Sequence, residues 1–252
     1  MSAPPKVLVE RDGSVQIVRL NRPRMHNCID GEMAAVLRSA LKRFASEEES
    51  RVLVVTGAGP SFCSGADLGE IEALVRRSAQ RGPPALGFSD LDVGKPVIAA
   101  VEGHCLGGGL ELAVWCDFAV AGADSRFGAV NRRSGVPWLD GGTQRLARRV
   151  GTGNALYLIE TGTLIEAPQA LAMGLVQEVT ERGRVLERAL ALATRMASYP
   201  QRSLRSDRRS SLAALGVPLE EGVRFEAETG LPSALDGEMA AGIRRFLKRR
   251  DA

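Results

Sequence analysis

Two apolar runs, RVLVVTGAG (51–59) and KPVIAAVEG (95–103), constrain the fold most. Each is continuous rather than alternating, and each ends in glycine. A strand that is apolar on every residue is buried on both faces, as in a parallel sheet covered by helices. DFAVAGADSRFG (117–128) begins with a third such strand and ends in a turn. Between them, SFCSGADLGEIEALVRR (61–77) passes from a loop into a helix, and GGLELAVWCD (108–117) reads as a helix. Strands and helices in alternation predict an α/β fold of stacked units.

The flanking segments extend this pattern. VLVERDGSVQIVRL (7–20) places two β-rich runs around Asp12-Gly13, a hairpin signal. NRPRMHN (21–27) is a polar loop, and 30–50 has helical spacing with Asp30 as its cap. Beyond residue 128 the strand signals thin out. Residues 143–162, 167–179 and 184–200 read as helices, with VQEV as a short strand in the second. The last fifty residues continue helical, interrupted near Pro218 and Pro232. The division expected is an α/β core over 1–199 and a C-terminal helical region over 200–252. With 252 residues, 44% of them hydrophobic and 25% charged, the chain can bury a sizeable core.

Composition also excludes functions. Aromatics make up 4% of the chain and the net charge is only +3, which argues against a nucleic-acid surface built on base stacking. Positive charge gathers in RSLRSDRR (202–209) and RRFLKRR (244–250). Such runs are either solvated helix faces or contacts for a phosphate-bearing ligand. The four cysteines form no CxxC pair, and His26 and His104 are the only histidines. That pattern predicts no metal site and no disulfide framework, but reduced thiols in the cytoplasm. MSAPPKVLVE lacks an apolar signal core, and no run of about 18 apolar residues is present to span a membrane. Walker and G-x-S-x-G motifs are absent, and GAGPSF (57–62) lacks the third glycine of a dinucleotide loop.

The chemistry centres on CLGGGLEL (105–112). Three glycines stand where a helix begins, although each costs about 1 kcal/mol relative to alanine inside one. The first N–H groups of a helix have no internal partner and carry the positive end of its dipole. Glycines without Cβ atoms let an anion, or an oxyanion formed during a reaction, approach them. Ser64-Gly65-Ala66-Asp67 repeats the strand-to-helix arrangement, so an Ala66 N–H and a glycine N–H can hold one carbonyl oxygen between them. Glu111, three residues after Gly108, lies on the same helical face. It serves either as compensation for the helix dipole or as a general acid and base.

These residues resemble the crotonase (enoyl-CoA hydratase/isomerase) superfamily. The matching blocks are LNRP (20–23), FCSGADL (62–68), KPVIAAVEGHCLGGGLELAVWCD (95–117), FG (127–128), GGTQRLARRVG (141–151) and ALAMGLVQEV (170–179). They follow the family's order across nearly the whole chain. The resemblance implies a spiral of repeated β-β-α units, a C-terminal helical region, and a homotrimer or dimer of trimers. It implies an acyl-CoA thioester as substrate, with CoA part of that substrate and no separate cofactor. The donors to the thioester oxygen would be Ala66 and Gly108. Glu111 would be the first of two catalytic glutamates. CoA would be met by Arg24, His26, Ala66, Asp67, Leu68 and Gly108, and by Phe246 and Arg249 of the basic tail.

One position departs from the family. The second glutamate falls on Asn131, whose amide can orient water or substrate but exchanges no proton near pH 7. Asp140 is the nearest substitute acid, although the family's pocket acids align one residue earlier, at Leu139. Asp140 reads equally as a turn residue before Gly141-Gly142. The leading expectation is hydration of a 2-trans-enoyl-CoA. The alternatives are a double-bond isomerase using Glu111 alone, and an acyl-CoA-binding protein without turnover.

Overall fold

The computed structural model describes residues 4–80, 82–235 and 237–250. The chain opens with the hairpin β1 (Val7–Asp12) and β2 (Val15–Leu20), then α1 (Gly31–Ser46). Asp30 caps α1, its Oδ1 accepting the Met33 N–H at 2.8 Å. Three repeats follow. The first is β3 (Val52–Gly57), β4 (Ser61–Cys63) and α2 (Ile71–Ala79). The second is β5 (Val97–Val101), β6 (His104–Leu106) and α3 (Gly108–Trp115). The third is β7 (Phe118–Gly122), β8 (Arg126–Gly128), a 3-10 turn over Val130–Ser134 and α4 (Gly142–Val150).

The long strands enter one sheet in the order β1-β2-β3-β5-β7, parallel after the opening hairpin. The short strands β4, β6 and β8 form a second parallel ladder. Each repeat therefore climbs through both sheets before its helix, which makes the spiral of β-β-α units. Sequence periodicity shows the alternation but not the spiral, because strands of three residues carry no readable period.

The apolar runs behave as expected of strands buried on both faces. Leu53 and Val55 of β3 pack into the larger core with Leu37, Leu41 and Phe44 of α1. Their neighbours Val52 and Val54 turn to the other face, against a helix over Val185–Ala197. Gly109 permits the close seating of α3, since a Cβ there would strike the Cys63 carbonyl.

The remaining elements are α5 (Thr152–Thr161), β9 (Ile165–Glu166), α6 (Ala167–Ala172), β10 (Glu178–Thr180) and α7 (Val185–Ala197). The chain then runs through α8 (Gln201–Ala213), α9 (Leu219–Leu235) and α10 (Glu238–Arg250). β9 closes the short-strand ladder and β10 the large sheet. The helical pattern over 143–162 is broken at Gly151, whose backbone takes φ 77°. Pro218 precedes α9, which ends three residues after Pro232. No helix among the described residues is long and apolar enough to cross a membrane.

Candidate active site

Strands β4 and β6 run side by side, with Ser61 opposite His104 and Cys63 opposite Cys105. The loops that leave them are therefore neighbours, and each feeds a donor into the same space. Gly65 has φ +106°, and a Cβ built on it would lie 2.8 Å from the Gly108 nitrogen. One built on Gly108 would lie 3.4 Å from the Ala66 nitrogen and overlap Leu86 Cδ1. Ala66 N–H and Gly108 N–H are thus adjacent, at the start of α3, with glycine leaving the approach open. Among the described residues neither donates to a protein acceptor. Two unpaired N–H groups this close together are able to donate to a single oxygen.

Glu111 projects from the first turn of α3 into a cavity of about 110 Å³ beside these donors, and is only 3% exposed. Its Oε1 accepts the Asp140 N–H and the Gly142 N–H, both at 2.9 Å. Gly142 must be glycine here, because a Cβ would press on Glu111 Cγ and the Trp138 ring. Burial pushes the Glu111 carboxyl up to about 8, and Asp140 adds to the rise. The two N–H groups and Arg145 act against it. A carboxyl with one oxygen held and a pKa near neutral can take up and release a proton at Oε2.

Asn131 and Asp140 line the same cavity. Asn131 Nδ2 donates to the Val136 carbonyl at 2.8 Å, while its Oδ1 is buried without a partner. The Asp140 carboxylate accepts the Leu86 N–H, at 3.1 Å through Oδ1. Burial raises its pKa, opposed by that N–H, the Ser89 hydroxyl, Arg145 and Arg77. Asp140 therefore touches Glu111 through its backbone, and its side chain ties down the loop carrying Leu86. Ile71, Ala85 and Leu86 supply apolar wall from the 70–92 stretch.

The expected CoA contacts are more dispersed. Leu68 borders the cavity, and Ala66 and Gly108 supply its donors. Asp67 Oδ2 is bound by Arg22 at 2.9 Å and its Oδ1 by the Gly69 N–H, so this side chain shapes the loop. Arg24 is exposed on the 3-10 turn Pro23–Met25. His26, at φ 47°, pairs its Nδ1 with Ser61 Oγ at 2.9 Å and is also exposed. Phe246 lies on α10, 62% exposed and outside the cavity lining. Arg249 belongs to the same helix, and its side chain lies outside the described residues.

A model of the enoyl-CoA hydratase/isomerase family matches residues 10–252. The chain belongs to that family. It is 33% identical over 242 residues to a probable mitochondrial enoyl-CoA hydratase of Dictyostelium discoideum, covering 96% of this chain and 87% of that relative. It is 34% identical to the 2,3-dehydroadipyl-CoA hydratase of Escherichia coli K12, covering 97% and 96%. Among solved structures, enoyl-CoA hydratase from Mycobacterium tuberculosis H37Rv superposes with a TM-score of 0.91 at 30% identity, covering 98% and 97%.

Within this family frame, two residues of the site escaped sequence reasoning. Leu86 fills the space beside Gly108 and carried no signal, being one leucine in a stretch punctuated by Gly and Pro. Trp138 lines the cavity with its indole Nε1 buried and unpartnered. Its only signal was rarity, as one of two tryptophans in the chain.

Proposed function

We propose that this protein is a lyase of the enoyl-CoA hydratase type, adding water to a 2-trans-enoyl-CoA to give the 3-hydroxyacyl-CoA. The observation that carries the reading is the placement of Glu111 beside two unpaired N–H groups, with one carboxylate oxygen pinned and the other left to the cavity. Ala66 N–H and Gly108 N–H hold the thioester oxygen, where negative charge develops as the enolate forms. Glu111 Oε2 removes a proton from water while the water oxygen bonds to Cβ. The π electrons move toward the thioester oxygen, and Glu111 then gives the proton to Cα. One carboxylate serves both steps and is regenerated, so the reaction balances without a second acid.

The CoA enters as part of the substrate, and the scheme needs no further cofactor. Arg24, His26, Phe246 and Arg249 are assigned to its nucleotide end. Leu219 and Leu235 stand 84% and 83% exposed on α9, which supports burial against further copies in a homotrimer or dimer of trimers. Four free, buried cysteines support a cytoplasmic location.

Asn131 in place of a second carboxylate keeps one other reading alive, a double-bond isomerase, since a lone carboxylate can carry a proton between two carbons. Purified protein mixed with a short 2-enoyl-CoA separates them. Loss of the conjugated thioester absorbance, with 3-hydroxyacyl-CoA as product, supports hydration. Gain of that absorbance from a 3-enoyl-CoA, without hydration of the 2-enoyl ester, supports isomerisation. Binding with no turnover of either ester would reject both.

A further inference from the structure

Between α2 and β5, residues 83–91 form no helix or strand, so the backbone groups of this segment need partners elsewhere. Three arginines take its carbonyls. Arg77 donates to the Ala85 carbonyl at 2.8 Å, Arg38 to the Gly87 carbonyl at 3.1 Å and Arg145 to the Ser89 carbonyl at 2.6 Å. At its centre the Leu86 N–H goes to a carboxylate instead, 3.1 Å from Asp140 Oδ1 and 3.3 Å from Oδ2. Leu86 Cδ1 is the atom that a Cβ on Gly108 would overlap, so the segment packs directly on that donor. From the same residue, the Asp140 N–H donates to Glu111 Oε1 at 2.9 Å. Asp140 is 1% exposed, and Arg145 donates to its carbonyl at 3.1 Å.

Asp140 is thus bonded both to Glu111 and to the segment that packs on Gly108. We propose that Asp140 is a positioning residue for hydration, its backbone N–H and its carboxylate together fixing Glu111 relative to the Ala66 and Gly108 donors. The inference rests on the hydratase reading. It assigns Asp140 no proton transfer, because the carboxylate is committed to the Leu86 N–H and the Ser89 hydroxyl. Without that carboxylate the Leu86 N–H would be buried and unpaired, a cost the segment relieves by moving, and Leu86 moves with it. A shift of about 1 Å between catalytic groups is enough to remove a large part of the rate. The carboxylate also acts through its charge. The charged groups facing the pair are Arg145 of α4 and Arg77 of α2. Against them, the Asp140 charge still disfavours ionisation of Glu111.

Steady-state kinetics of 2-enoyl-CoA hydration across pH tests both parts. Asp140→Ala removes the bond to Leu86 and is expected to lower kcat about tenfold or more. Asp140→Asn restores most of that loss, because its amide oxygen accepts the same N–H. The asparagine also removes the charge, so the rise of kcat/KM with pH moves to lower pH by about half a unit or more. A purely structural residue would change the melting temperature and leave that rise in place. Equal losses in kcat for the two variants would overturn the proposal by making Asp140 a proton carrier. So would an Asp140→Ala kcat within about twofold of wild type, or an unmoved pH profile in Asp140→Asn. If Asp140→Ala does not fold, the Asp140→Asn profile decides. Absence of hydration by the wild-type protein would instead reject the reading beneath the proposal. Amide exchange then reads the tether by itself: the Leu86 N–H should exchange slowly in the wild type and about tenfold faster or more in Asp140→Ala, and equal rates would remove the tether as well.

Discussion

Glu111 and Gly142 are joined across thirty-one residues of sequence by a 2.9 Å hydrogen bond from the Gly142 N–H to Glu111 Oε1. The bond links the first turn of α3 to the first turn of α4 and leaves the second carboxylate oxygen to the cavity. Gly142→Ala places a methyl against Glu111 Cγ and the Trp138 ring. Hydration by this variant is expected to fall by about 100-fold or more, mainly in kcat, because displacement of a proton carrier by about 1 Å is enough. Steady-state kinetics on the folded variant checks it.

Gly108→Ala closes the oxygen seat instead. Its Cβ would overlap Leu86 Cδ1 and sit 3.4 Å from the Ala66 nitrogen. The expected loss in kcat/KM is about 100-fold to 1,000-fold, comparable to removing an oxyanion donor. A Leu86→Ala second substitution makes room for that methyl and should recover part of the loss. No recovery would mean that the added Cβ acts on the donors alone.

The fold was legible because buried strands announce themselves through continuous apolar runs, and RVLVVTGAG and KPVIAAVEG do so. The spiral was not, because Ser61–Cys63, His104–Leu106 and Arg126–Gly128 are too short to show a period. In the site, Gly108 and Glu111 were readable from one eight-residue segment, since helix geometry fixes their relation. What could not be read were contacts between distant segments. The bond between Asp140 and Leu86 spans fifty-four residues, and the one between Gly142 and Glu111 thirty-one. No local pattern encodes which carbonyl or carboxylate a loop N–H will meet.

The same limit changes the expectation for Asn131→Glu. From sequence alone it restores a missing acid. In the structure it removes the Nδ2 donor from the Val136 carbonyl and sets a carboxylate beside that oxygen. The variant is expected to lose about 1 kcal/mol of stability and to gain no hydration activity. Thermal melts and a hydration assay test both parts, and increased hydration would show that the turn re-forms without its amide.

Acidity gives a further prediction. In the proposed mechanism Glu111 must be ionised to accept a proton from water, and burial raises its folded pKa to about 8. The kcat/KM for hydration should therefore rise with pH and level off above about 8. For stability the sign runs the other way. A carboxyl whose folded pKa lies above its unfolded value favours the fold below the unfolded value, near 4.5, and that contribution is lost as pH rises through about 8. Glu111→Gln should raise the melting temperature at about pH 9 by about 2 °C or more, and by less at about pH 5. An equal effect at both would remove the buried carboxylate as the cause.

The most direct measurement compares wild-type protein with Glu111→Gln on a short 2-enoyl-CoA, following loss of the conjugated thioester absorbance. The substituted amide can keep the bonds from the Asp140 and Gly142 N–H groups through its carbonyl oxygen, but it carries no exchangeable acid proton. The expected result is hydration by the wild type and a fall of about 100-fold to 10,000-fold in the variant, with binding of the ester retained. Hydration by Glu111→Gln at the wild-type rate would show that another group moves the proton, and the single-carboxylate mechanism would be wrong.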